Sequence, residues 1–221
     1  MAEILKLGVL ISGGGSNLQS IIDHIENGWL RAQINVVISN NPDAYGLVRA
    51  QKAGIHCVVL NHKDFKRRDD FDSELIFHLN EAGVDLIVLA GFMRILTSKF
   101  LQAFPDKIIN IHPALLPAFP GTHVQQKAID YGVKFSGCTV HFVDEGVDTG
   151  PIIIQAVVPV YPDDTADSLA ARILKEEHKI YPQALRFFAE GRISKNGRHV
   201  LIRPTAISKT EAMHNPPLDP H

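Results

Sequence analysis

Five short apolar runs, separated by stretches with helical spacing, leave this chain few folds to choose from. Leu7 to Ser12 is the first run, and glycines follow it. Asn17 to Asn27 then carries Leu18, Ile21, Ile22 and Ile25 at helical intervals, and Gly28 ends it. The pattern repeats: Ile34 to Ser39 is strand-like, Tyr45 to Ala53 helix-like with Gly54 as its stop, and His56 to Leu60 a third strand. A charged segment from Asp64 leads into an amphipathic helix through Phe71, Leu75, Ile76 and Leu79, capped by Gly83. Leu86 to Ala90 and Lys107 to Ile111 supply strands four and five. Strands that are apolar throughout are buried on both faces. The alternation therefore predicts an α/β chain: an open, twisted, mostly parallel sheet with helices on both faces.

After His112 the rhythm changes. Pro113, Pro117, Pro120 and Gly121 predict an ordered loop, and Gln125 to Tyr131 a short helix. Two β-like runs follow, Cys138 to Val143 and Pro151 to Val160, joined by the acidic, glycine-bearing loop Asp144 to Gly150. They place antiparallel strands toward the C-terminal part. Thr165 opens a long helix reaching about Glu190, with Asp163, Asp164 and Asp167 suited to its N-terminal dipole. Ile193 to Ile202 reads as a hairpin around Asn196-Gly197, and from Ser208 the tail is expected to have no fixed structure.

Composition excludes several function classes. A net charge of −2 gives no general reason to expect nucleic-acid binding. No apolar run approaches a membrane span, and the first strand carries Lys6 with no signal-peptide pattern around it. Cys57 and Cys138 both lie in apolar strand-like runs and read as buried, reduced thiols rather than a disulfide or metal pair. The expected compartment is the cytoplasm.

Four stretches carry chemistry. Ser12-Gly13-Gly14-Gly15-Ser16-Asn17 joins the first strand to the first helix, where exposed N–H groups and the helix terminus favour an anion such as phosphate. A plain βα turn explains the glycines as well; the side chains of Ser16 and Asn17, as extra donors, weigh toward phosphate. The loop is neither a dinucleotide fingerprint, since Leu18 holds the third glycine's place, nor a Walker A motif. Ala90 to Leu96 leaves the fourth strand at its carboxyl end, where open α/β sheets bind ligands. By sequence alone, however, Phe92, Met93, Ile95 and Leu96 read as core.

Asn110 and His112 stand on alternate positions, so both project from one side of a strand end, and Asp148 follows a second β-like run that can return to the same point. An amide donor, an imidazole and an anion suit a developing oxyanion and the movement of protons. A core histidine satisfied by a carbonyl is the alternative for His112; the nearby Asn110 and proline-rich loop weigh toward a site. The set contains no nucleophile, so the attacking group belongs to a substrate. A metal site using His112, His123, His141 and Asp148 has no ligand spacing behind it, and none is expected. Glu176-Glu177-His178 reads by default as a solvated helix face.

Leu10-Ile11-Ser12-Gly13-x-Gly15-Ser16-Asn17-Leu18, Leu89-Ala90-Gly91-Phe92-Met93-Arg94, Asn110-Ile111-His112-Pro113-x-Leu115-Leu116-Pro117 and Val140-His141-Phe142-Val143 with Asp148-x-Gly150-Pro151 together resemble the folate-dependent phosphoribosylglycinamide formyltransferases. The resemblance runs from about Lys6 to Gly191. It implies a Rossmann-like formyltransferase domain over residues 1–195, with a nucleotide-binding N-terminal half and a folate-binding, catalytic C-terminal half. Residues 196–221 would be a tail. The implied reaction moves the formyl group of 10-formyltetrahydrofolate onto the amine of glycinamide ribonucleotide, in purine synthesis. Gly15, Ser16, Asn17 and Glu177 would hold the ribonucleotide. Arg68, Met93, Arg94, Ile95, Leu96, Asn110, Val143, Asp144 and Asp148 would hold the folate, and Asn110, His112 and Asp148 would be catalytic, with His112 the proton donor. Gly14 departs from the family, which often has asparagine there; backbone binding is expected to survive. The expected assembly is a monomer or homodimer.

Three rivals remain. A formyltetrahydrofolate hydrolase would use water as acceptor and, in the family, carries an N-terminal regulatory domain ahead of strand one. Methionyl-tRNA formyltransferase has an added C-terminal domain and must neutralise phosphates, which a slightly acidic chain does poorly. A non-catalytic phosphometabolite-binding protein explains the glycine loop but not Asn110, His112 and Asp148.

Overall fold

The computed structural model describes residues 3–203. The expectation of an unstructured tail from Ser208 lies outside them. β1 (Leu5–Ile11), α1 (Ser16–Glu26), β2 (Ala32–Ser39), α2 (Tyr45–Lys52), β3 (Cys57–Val59), α3 (Arg68–Glu81), β4 (Leu86–Leu89), α4 (Ser98–Ala103) and β5 (Ile108–His112) alternate strand with helix. Then come α5 (Val124–Tyr131), β6 (Phe135–Phe142), β7 (Ile152–Pro159), α6 (Ala166–Ala189), β8 (Ile193–Asn196) and β9 (His199–Ile202). Seven strands form one sheet in the order β3-β2-β1-β4-β5-β6-β7, parallel through β5 and antiparallel from β5 to β7. Among the described residues no helix is long and apolar enough to cross a membrane.

Period-two alternation splits the core between the two faces of the sheet. Leu7, Val9 and Ile11 of β1, Val88 of β4, Ile109 and Ile111 of β5, and Cys138, Val140 and Phe142 of β6 pack with α1, α2 and α6. Leu10, Ile87, Leu89 and Ile108 point the other way, toward α3 and α4. Gly8 allows that second layer to close down: a Cβ there would lie 2.5 Å from Leu79 Cδ2. By the same alternation Asn110 and His112 of β5, and Thr139 and His141 of β6, share the α3 side of the sheet.

The chain winds outward from β1 in one direction to β3 and then crosses to β4, so β1 and β4 are neighbours whose connections leave in opposite directions. A crevice must open beyond their carboxyl ends. Ser12 to Gly15 and Ala90 to Leu96 border it.

Four local readings need correction. α4 was not anticipated; six residues containing one fully buried side chain, Phe100, give no period to detect. β5 runs through His112 rather than stopping at Ile111, because His112 pairs with Thr139. Cys57 is only half-buried, since β3 is an edge strand, while Cys138 is buried; both thiols are free. The hairpin turns on Gly197-Arg198, one position later than expected: Asn196 pairs with His199, and Gly197 at φ 55° supplies the left-handed first residue of the turn. Thr165 caps α6 through a reciprocal pair with Ser168, and Asp164 is held by Arg172 at 2.7 Å.

Candidate active site

The antiparallel return of β6 determines what β5 can do. Asn110 lies directly across from His141, and the loop after β6 brings Asp148 back over the strand end. Four side chains form a continuous polar chain. Asn110 Nδ2 lies 3.3 Å from His141 Nε2, which is 3.7 Å from Asp148 Oδ1, and Asp148 Oδ2 is 3.3 Å from His112 Nδ1. The Gly121 N–H also donates to Asp148 Oδ2, at 2.8 Å. His112 and His141 are buried. The structure thus brings Asn110, His112 and Asp148 together and inserts His141 between them. In the sequence His141 stands out only as a weighed metal ligand and a motif residue; its position opposite Asn110 depends on the β5–β6 register, which no local pattern shows.

Tautomers follow from the partners. His141 Nδ1 donates to the Phe142 carbonyl at 2.7 Å. Burial pushes the His141 imidazole below its ordinary range, so the ring stays neutral and Nε2 accepts from Asn110. That fixes the Asn110 amide with Nδ2 toward His141. His112 has an acceptor on each side, Asp148 at Nδ1 and the Phe119 carbonyl at 2.8 Å from Nε2, so its imidazolium has a partner for both N–H groups.

Gly15, at φ 68°, precedes α1 in the left-handed region. The first N–H groups of α1 have no intrahelical partner, as an anion site requires. Two loop carbonyls are drawn away to α2: Gly46 N–H donates to Gly13 O at 3.0 Å, and Arg49 Nε to Gly14 O at 2.9 Å. The Asn17 side chain does not stand free as the extra donor expected. It is buried, and one of its two amide N–H groups is turned toward α6, donating to Glu177 Oε2 at 2.8 Å. Its backbone N–H remains for an anion.

Glu177 is likewise no part of a solvated face. It is buried, and burial pushes its carboxyl up while the Asn17 amide pulls it down. A carboxyl raised in the folded state contributes stability below its unfolded value and loses it as pH rises through the folded one. Glu177→Gln has no such proton. Its melting temperature should therefore gain on wild type as pH climbs through and above the ordinary carboxylate range, as thermal melts across pH would show. A gap that does not widen rules this out.

On the far side of the crevice, Met93 and Ile95 are 71% and 63% exposed, so they are not the core residues their composition suggested; Phe92 and Leu96 are buried. The Met93 N–H donates to Ser12 Oγ at 2.7 Å and Arg68 Nη2 to the Ile95 carbonyl at 2.5 Å, which hold this apolar loop open to the cleft. Arg94 is half-buried beside them. Val143 extends the sheet through its N–H to Ile108 O, and Asp144 accepts from Thr149 Oγ1 at 2.6 Å, closing the Asp144–Asp148 loop on itself.

Residues 5–185 match the formyl transferase family. The phosphoribosylglycinamide formyltransferase of Haemophilus influenzae is 49% identical over 205 residues, covering 93% of this chain and 97% of that protein. The trifunctional purine biosynthetic protein adenosine-3 of Drosophila melanogaster is 53% identical over 188 residues, 84% of this chain, but the chain spans only 14% of that protein's length. Among solved structures, glycinamide ribonucleotide transformylase 1 from Symbiobacterium toebii superposes with a TM-score of 0.89 at 52% identity, covering 90% of this chain and 94% of that one.

Proposed function

Because this chain belongs to the formyl transferase family, we propose that it transfers the formyl group of 10-formyltetrahydrofolate to the amine of glycinamide ribonucleotide, a step of purine biosynthesis. The observation that carries the reading is the polar chain from Asn110 through His141 and Asp148 to His112, at the crevice bordered by the glycine loop and the Met93 loop. The ribonucleotide phosphate sits on the N–H groups from Gly15 to Asn17, and Glu177 faces the glycinamide side. The folate lies along Arg68, Met93 to Leu96, Val143 and Asp144 to Asp148.

The substrate amine attacks the formyl carbon, and the carbonyl oxygen becomes an oxyanion. Asn110 donates to it through the amide that His141 orients. His112 donates through Nε2–H, which must exchange the Phe119 carbonyl for the oxyanion. Each such donor contributes on the order of 3 kcal/mol to lowering the barrier. The Asp148 carboxylate lies 3.3 Å from His112 Nδ1 and accepts, through water, the proton shed by the attacking amine. Collapse of the intermediate expels the folate nitrogen, which takes its proton from His112. Both substrates meet directly, so no acyl-enzyme forms.

The test is folate deformylation with and without glycinamide ribonucleotide. Release of tetrahydrofolate only when the ribonucleotide is present is the expected result. Equal release without it would make the protein a hydrolase, and no release in either case would leave only a binding protein. The reaction is also expected to survive exhaustive chelation, because Asn110 and His112 polarise the carbonyl themselves. Activity lost to a chelator and restored by zinc would replace that account with a Lewis acid.

A further inference from the structure

The β8–β9 hairpin lies beyond residues 5–185, and none of the catalytic chemistry above uses it. Its tip nonetheless reaches the catalytic loop. Arg198 Nη1 and Nη2 both donate to the Thr149 carbonyl, at 2.7 and 2.6 Å. Thr149 is the residue after Asp148, whose φ of 56° is in the left-handed region. A non-glycine residue there is strained and stays only where its surroundings over-determine it.

The loop supplies part of that constraint itself. A Cβ on Gly146 would lie 2.0 Å from Thr149 Oγ1, and one on Gly150 would lie 1.8 Å from the Phe142 carbonyl, so both glycines let the loop fold tightly against its own ends. Arg198 acts from outside the loop, on the Thr149–Gly150 peptide, which is one removed from the peptide that follows Asp148. The hairpin that carries it is anchored independently. Ile193, Val200 and Ile202 pack on the core, Lys195 pairs with Asp106, and Arg192 pairs with Glu190 at 3.0 Å. The left-handed Gly197 then turns the chain so that Arg198 stands over Thr149. A guanidinium suits this task, since its planar fork can place two N–H groups on one carbonyl, where an ammonium offers a flexible point contact.

We propose that Arg198 is a positioning residue for formyl transfer: it clamps the Thr149 carbonyl and thereby holds the Asp148 carboxylate against His112. This rests on the function proposed above. The clamp predicts an effect on turnover rather than on ribonucleotide binding, because the phosphate loop joins β1 to α1 while Arg198 holds the loop that follows β6.

The experiment compares wild type, Arg198→Ala and Arg198→Lys by steady-state kinetics in both substrates, and by amide hydrogen exchange of residues 144–150 without substrate. Arg198→Ala should lower kcat on the order of tenfold, since a misplaced catalytic group loses its near-attack geometry. The KM for glycinamide ribonucleotide should hold, residues 144–150 should exchange faster, and Arg198→Lys should recover part of both effects. A residue that only secures the hairpin would change thermal stability and leave kcat alone. Wild-type kcat and unaltered exchange in Arg198→Ala would overturn the inference. If wild type itself fails to formylate the ribonucleotide, the function reading fails separately, and the exchange rates still decide for or against the clamp.

Discussion

Replacing His112 with alanine is expected to lower kcat on the order of 10²- to 10³-fold, the usual cost of one lost oxyanion donor. The KM values should move little, because the ring matters most once negative charge has developed on the formyl oxygen. Asp148→Asn should fall nearly as far by a different route. It keeps the side chain's size and an oxygen for the Gly121 N–H, but it removes the anion 3.3 Å from His112 Nδ1. The two residues act as one unit, so their losses should not add. Asp148→Asn introduced into His112→Ala should cost little more than His112→Ala alone. Multiplying losses in the double variant would show that Asp148 works independently of the imidazole. Near-normal kcat in either single variant would remove that residue from the mechanism.

Gly15→Val should raise the KM for glycinamide ribonucleotide by about 10- to 100-fold, equivalent to the roughly 1.5–3 kcal/mol carried by a hydrogen bond to a charged group. The geometry makes the reason specific. A Cβ on Gly15 would lie 2.6 Å from Gly46 Cα, so it would meet backbone, which cannot swing aside as a flexible side chain does. Valine must also adopt a φ near 68°, which β-branched residues resist. The start of α1 and the start of α2 would be forced apart, and the N–H groups would lose their common aim. Some loss of thermal stability should accompany the kinetic change. The folate KM should hold, because the Met93 loop meets β1 at Ser12, ahead of the distortion. A rise in the folate KM alone would put the two substrates in the wrong halves of the crevice.

The parallel half of the fold was readable because its strands are apolar on both faces and its helices end at glycines. Periodicity alone locates Leu86–Leu89 and Tyr45–Lys52 to within a residue or so. α4 escaped because a helix of six residues has too few turns to show a period. The candidate site was legible as residue types in order, and the structure gathers Asn110, His112 and Asp148 as their spacing suggested. Hydrogen-bond partners were not legible. Asn17 looked like a phosphate donor because its position is at a helix start, but its side chain is engaged by Glu177 from a helix 160 residues away. Glu177 looked solvated for the complementary reason: its burial depends on a partner that no local pattern names. Arg198 lacked any signal, since its meaning lies in the carbonyl it meets.

Asn110 faces His141 across an antiparallel ladder whose other face is Ile109, Ile111, Val140 and Phe142. Slipping this pairing by one residue would turn every side chain over, burying the polar set and offering the apolar one to the cleft. The apolar face therefore acts as the proofreader of the polar one: a chain that has packed its core has already aligned its site. A partly slipped, partly active form is not available, because the same step that misplaces Asn110 also exposes Ile109 and Ile111. Natural variation can then lengthen or shorten the loop ahead of β6 with the reaction intact, while an inserted or deleted residue within the ladder costs the fold and the chemistry together.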